Sequence, residues 1–181
     1  MIKKIILGAI GVALLVIGIG FLMPSTYTIE RNVRINAPAQ DIFRHVKDLR
    51  KWQRWGVWFK RDPAMQVSYS GPGSSVGMQS SWISESQGNG RMEVIGIEEN
   101  QRFIYSLYFI DMDMGSTGEL VFSPGEGKTL VTWRDQGDVG ANPLYRYFAF
   151  FMDSMIGDDL QMGLDNLKVI SEANNHSNSA Y

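Results

Sequence analysis

Residues 143–173 read PLYRYFAFFMDSMIGDDLQMGLDNLKVISEA, and the fold class turns on that run. At 100° per residue, Leu144, Phe148, Phe151, Met152, Met155, Met162 and Ile170 fall on one side. Arg146, Asp153, Ser154, Gln161, Asp165 and Lys168 fall on the other, the pattern of an amphipathic helix. Pro143 suits the first turn, where its missing N–H would have had no partner. A helix of this length runs about 45 Å, the span of a small domain, so it is expected to be the hub of one. Asp159 lands near the middle of the apolar side, with Asn166 close by. Either it is an interior carboxylate, or the helix bends at Gly157 or Gly163 and returns it to water.

Upstream, the period is two. Tyr27, Ile29, Val33 and Ile35 alternate along a first strand, and Asn36-Ala37-Pro38 then opens helices striped by Ile42, Phe43, Val46 and Leu49. Strand candidates follow at 65–70, 78–84, 91–98, 102–110, 118–123 and 130–136. Gly71-Pro72-Gly73, Gly88-Asn89-Gly90, Glu99-Asn100, 113–115 and 124–127 separate them as turns. Such short connections favour an antiparallel meander. The expected fold is α+β: a curved antiparallel sheet of about seven strands gripping the long C-terminal helix.

The first residues stand apart from that domain. After Lys3 and Lys4, Ile5 to Met23 form nineteen apolar or glycine positions without a charge, close to the roughly 20 needed to cross a bilayer as a helix. A cleaved signal peptide competes with this reading, but Phe21-Leu22-Met23-Pro24 is bulky where a peptidase needs small residues. The expected organisation is a membrane anchor over 1–24, a domain over 25–173 and a disordered polar tail over 174–181. Lys3 and Lys4 put the N-terminus in the cytoplasm and the domain on the periplasmic or outer side of the cell membrane, although Arg31 and Arg34 beyond the span work against this. The chain has no cysteine and two histidines, His45 and His176, far apart in sequence, which excludes disulfides and thiolate metal sites. Ten methionines and 12% aromatic residues supply large, adaptable apolar side chains.

Several segments in fixed order resemble a known family. They are Ser70 to Met78, then Trp82, then Gly88-Asn89-Gly90-Arg91-Met92, with Trp52 and Trp55 after the first helices. Thr129 to Trp133 and Gly163-Leu164-Asp165-Asn166-Leu167-Lys168 complete the set. Together, over about Tyr27 to Glu172, they resemble the polyketide-cyclase/dehydrase branch of the START-related helix-grip superfamily (SRPBCC). The resemblance implies a hydrophobic cavity between the sheet and the long helix. It carries no catalytic set onto numbered positions, since members of one fold differ in function.

Most isolated chemical signals have a plain reading. The glycine-rich run 70–77 lacks the Gly-Lys-Ser/Thr ending of a phosphate loop and precedes a strand, so it is a turn. Asp111 and Asp113 lack the further oxygen ligands that a calcium site wants, and no metal or cofactor is expected. His45, with no partner in sequence, reads as a surface or lightly packed residue. Asp135 differs. It shares parity with Val131 and Trp133 on the last strand, which brings it inside or to the rim, where a carboxylate is costly and its pKa rises. Alternatively it is hydrated where the strand leaves the sheet.

From Arg44 to Asp62, seven basic residues meet two acids, while the rest of the chain beyond Met23 sums to −9. Trp52, Trp55, Trp58 and Phe59 are interleaved with them, a mixture that suits a bilayer interface. In the other reading the tryptophans cap the cavity and the cations are a solvated face. Nucleic acid suits a net-acidic chain poorly. The expectation is therefore a single-pass membrane protein whose domain binds a hydrophobic small molecule, most plausibly a lipid. Trp52, Trp55, Met78, Trp82, Trp133, Asp135, Phe151, Met155 and Asp159 would contact the ligand. Lys51, Arg54, Trp58, Lys60 and Arg61 would meet the membrane surface. The alternatives are a cyclase/aromatase-like enzyme using pocket acids and a protein-interaction module.

Overall fold

The computed structural model describes residues 1–178, with side chains through residue 173. Helix α1 (Ile2–Leu22) leads through Met23-Pro24-Ser25 into β1 (Thr26–Ile35). Helix α2 (Ala39–Val46), a 3-10 turn (Leu49–Arg54) and the short α3 (Val57–Arg61) follow. Then come β2 (Gln66–Ser70), β3 (Gln79–Ile83), β4 (Gly90–Glu98), β5 (Arg102–Phe109), β6 (Met114–Gly125) and β7 (Lys128–Asp138). Helix α4 (Pro143–Asn178) ends the described chain.

Among the described residues the seven strands form one antiparallel sheet in the order β1-β7-β6-β5-β4-β3-β2. The meander from β2 to β7 reflects its short turns. The first strand then closes beside the last, with Ile29 opposite Asp135 and Val33 opposite Val131. A β-bulge between Val94 and Gly96 interrupts the β4–β5 pairing, a feature that adds local twist and bends the strand.

Helix α4 lies across the inner face of this sheet, and α2, the 3-10 turn and α3 close one side. The tie is aromatic. Trp133 of β7 meets the rings of Trp52 and Trp55 edge-on, with centroids 5.7 and 5.4 Å away. The Trp52 indole donates to the Val46 carbonyl at 2.7 Å, and Asn166 of α4 donates to the Trp55 carbonyl at 2.9 Å. The helix does not break at its glycines. Gly163 is where the Trp133 ring enters, 2.9 Å from where a β-carbon would stand. Gly157 seats the Arg31 guanidinium, which Asp153 grips with two bonds of 2.8 and 3.1 Å.

The face that α4 buries differs from the expected one. Ala149, Leu160, Leu164, Leu167 and Ser171 are buried, with Met152, Ile156 and Ile170 packed beside them. Leu144, Phe148, Phe151, Met155 and Met162 are 43–55% exposed. They form a second apolar stripe, about 130° round the helix from the core stripe at 3.6 residues per turn. The first half of α4 is apolar on two sides, and projection of the large side chains alone selects the outer one. The helix also runs past Ala173 through Asn178, because neither proline nor glycine follows Gly163 to stop it. Residues 179–181, also expected in a disordered tail, lie outside the described residues.

Helix α1 is long and apolar enough to cross a bilayer, and it lies almost wholly outside the domain core. Its end is seated on the start of α4. Gly20 packs against Pro143, and the Tyr147 hydroxyl donates to the Val16 carbonyl at 2.7 Å. Arg146 donates to the Phe21 and Met23 carbonyls at 2.9 and 3.2 Å, serving acceptors that a helix end leaves without partners.

Candidate functional site

A cavity of about 710 Å³ lies between the inner face of the sheet and α4. Met152, Ile156 and Leu160 roof it, Trp58 and Phe59 of α3 wall one side, and Trp82 and Met92 contribute from β3 and β4. Met112, Tyr145, Phe148 and Met155 line the cavity and are also 43–55% exposed. They mark its mouth, between the start of α4 and the connection from β5 to β6.

The floor carries the polar groups. Ser116 donates to Asp135 at 3.1 Å, and the Tyr105 hydroxyl approaches the same carboxylate oxygen at 3.5 Å. The Trp133 indole donates to the Tyr105 oxygen at 2.9 Å. Two glycines make room for this cluster. The Tyr105 ring rests on Gly118, and the Tyr27 hydroxyl lies 2.6 Å from where a β-carbon of Gly137 would stand. Asp135 is 3% exposed, and burial pushes its carboxyl from the ordinary 3.8 to about 7, with the Ser116 and Tyr105 bonds holding it back in part. Burial, reinforced by Asp135, raises Tyr27 to about 12. The same causes raise Tyr105 well above the ordinary phenol. Near neutral pH this floor offers a carboxyl able to give or take a proton, beside phenols that stay protonated.

The second acid, Asp159, is 7% exposed and also lines the cavity. Arg61 binds it through both carboxylate oxygens, with Nη1 to Oδ2 at 2.6 Å. This pair pins α3 to the middle of α4.

Of the residues expected to contact a ligand, Trp52, Trp82, Trp133, Asp135, Met155 and Asp159 line the cavity. Trp55 and Met78 are buried in the core instead. Phe151 faces outward from α4, because it sits on the outer stripe. The basic segment is divided. Trp58, expected at a bilayer surface, packs edge-on against Trp133 at 6.1 Å, drawn inward by the aromatic core. Arg61 turns to Asp159, Lys60 reaches Asn166 at 3.4 Å and Lys51 donates to the Arg44 carbonyl at 2.9 Å. Arg54 is exposed.

His45, expected as a surface or lightly packed residue, is buried because it rides on the packed side of α2. Burial, and then the charges of Arg44, Lys51 and Arg54, lower its pKa. Among the described residues no acid or histidine cluster could hold a metal. Tyr27, Tyr105 and Ser116 escaped sequence reasoning, since three different strands bring them together. Gly118 and Gly137, at inner positions of strands, were the available signal, because a missing side chain there admits a neighbour's ring.

A family model described as polyketide cyclase / dehydrase and lipid transport matches residues 26–172. No curated protein matches the chain significantly. Among solved structures, a protein from Thermobifida fusca is similar at 19% identity and a TM-score of 0.63, over 80% of this chain and 92% of that one. One from Rhizobium leguminosarum is similar at 18% and 0.58, over 82% and 95%. Norcoclaurine synthase from Thalictrum flavum, solved with dopamine and hydroxybenzaldehyde, is similar at 11% and 0.59, over 84% and 90%. At these identities the likeness is one of fold.

Proposed function

The chain belongs to the polyketide cyclase/dehydrase and lipid transport family, and from that premise we propose that it holds a lipid in its cavity while α1 anchors it in a membrane. The observation that carries this reading is the cavity itself: about 710 Å³, within the roughly 300–1,000 Å³ of small-molecule sites. Its walls are mainly Trp, Phe, Met and Leu, and its floor closes on Asp135, Ser116 and two tyrosines. An acyl or isoprenoid tail would gain about 0.8 kcal/mol for each methylene removed from water. The floor would then select a ligand end able to exchange hydrogen bonds with a carboxyl and phenols.

The test is extraction and mass spectrometry of the full-length protein purified in mild detergent. A defined amphiphile should co-purify with the wild type and be lost from Ser116→Phe, which fills the floor and leaves α1 unchanged. Identical extracts from both would mean that the retained lipid merely surrounds α1.

One observation supports a second reading, a proton-transferring enzyme. The Asp135 carboxyl is poised near neutrality inside the cavity, where a general acid or base works best. Under that reading Asp135→Asn would abolish turnover of a bound polyketone while leaving its binding intact. Under the lipid-holding reading the same change would alter only affinity.

A further inference from the structure

The outer stripe of α4 is left uncovered by the domain. Leu144, Phe148, Phe151 and Met155 follow at intervals of four, three and four residues, all about half exposed. That is the spacing of one helix face. Ile110 and Met112, beside the cavity mouth, are 56% and 53% exposed. What adjoins this surface is α1. The Tyr147 hydroxyl is bonded to the Val16 carbonyl, six residues before Leu22 and so about 9 Å back along the helix. If α1 crosses a bilayer, the first turns of α4 stand beside its outermost turns, at the depth where an interfacial helix buries its apolar side, about 5–10 Å into the headgroup and acyl boundary.

We propose that the start of α4 and the tip of the β5–β6 connection are embedded in the bilayer surface, so that the cavity mouth opens directly into lipid. The proposal rests on the reading of α1 as a membrane span. The contact is apolar along α4, and at the β5–β6 tip Met112 is flanked by the exposed Asp111 and Asp113, which offer anionic headgroups no attraction. Arg61 and Lys60, from the basic segment, meet α4 at Asp159 and Asn166, sixteen or more residues beyond Pro143 and so about 24 Å or more along its axis. Docking therefore depends neither on anionic headgroups nor on low salt.

Because the chain has no cysteine, single nitroxide labels can be placed on the full-length protein in phosphatidylcholine liposomes. Labels at Phe151→Cys and Met112→Cys should be accessible to dissolved oxygen and shielded from a water-confined nickel chelate, as a label at Leu14→Cys is. A label at Arg54→Cys should show the reverse, and 0.5 M salt should change none of these. Labels at Phe151 and Met112 that meet nickel as freely as Arg54, while Leu14 remains shielded, overturn the docking and leave the anchor standing. Dipolar broadening between Phe151 labels overturns it in favour of a second copy of the chain on that stripe. A nickel-accessible Leu14 overturns the anchor itself, and this proposal with it.

Discussion

Arg61, on the five-residue helix α3, grips both carboxylate oxygens of Asp159 in the middle of α4. The arginine side chain is 43% exposed and the aspartate 9%, so the pair joins a buried acid to a half-solvated cation. Trp58 and Phe59, on the same helix, form a wall of the cavity, and the Arg61–Asp159 pair ties the helix that carries them to α4.

Arg61→Gln should therefore destabilise the fold by about 1–3 kcal/mol, the cost of a buried charged group losing its partner. Asp159→Asn added to it should recover part of that loss, since no buried charge then remains. Urea unfolding of the three variants measures both. Amide exchange over 57–61 should accelerate in Arg61→Gln before the rest of the fold responds. Unchanged exchange there would mean that the pair does not hold the wall.

Gly163→Ala offers a test by sign. On an exposed helix that change stabilises by about 1 kcal/mol. Here the new methyl meets the Trp133 ring, and overpacking of a core costs typically about 1–3 kcal/mol, so a net loss is expected. In a Trp133→Phe background the same substitution should become neutral or favourable. Additive effects of the two changes in thermal melts would disprove the contact.

Asp135 makes stability fall as pH rises. Its folded pKa of about 7 lies above the ordinary 3.8, so between those values the folded chain keeps a proton that the unfolded chain has released. The associated stability is fully present below pH 4 and is lost as pH rises through about 7. At about 1.4 kcal/mol for each unit, the loss reaches as much as about 4 kcal/mol. Asp135→Asn, which mimics the neutral acid, should flatten this slope in urea titrations at pH 5 and pH 8.

On topology, a phosphatase fused after Tyr181 should be active in bacterial cells and a cytoplasmic fluorescent reporter at the same place dark, because Lys3 and Lys4 precede the apolar run. The opposite pattern would place the domain in the cytoplasm.

Strand count, meander and long helix were legible because each rests on local periods and turn residues. Asp135 was legible from parity with Val131 and Trp133. The inward side of α4 was not, because Phe148, Phe151 and Met155 carry as much apolar surface as Leu160, Leu164 and Leu167, and only packing against the sheet and α1 tells them apart. Nor could the sequence show that Arg61 turns to Asp159, a pairing that depends on how α3 docks. The cavity floor was equally hidden, since Tyr27, Tyr105 and Ser116 meet Asp135 only through the register of four strands.

The closure of β1 onto β7 has a consequence in time. Thr26 pairs with Asp138 and Ile35 with Thr129, so more than ninety residues must emerge from the ribosome before the first strand meets β7, its one sheet neighbour among the described residues. Until then β1 waits as an unpaired strand beside a greasy helix, open to mispairing. The domain can close only after β7 has been made, by long-range contacts of the kind that fold slowly. A holding chaperone would have its most important work on this chain during that interval.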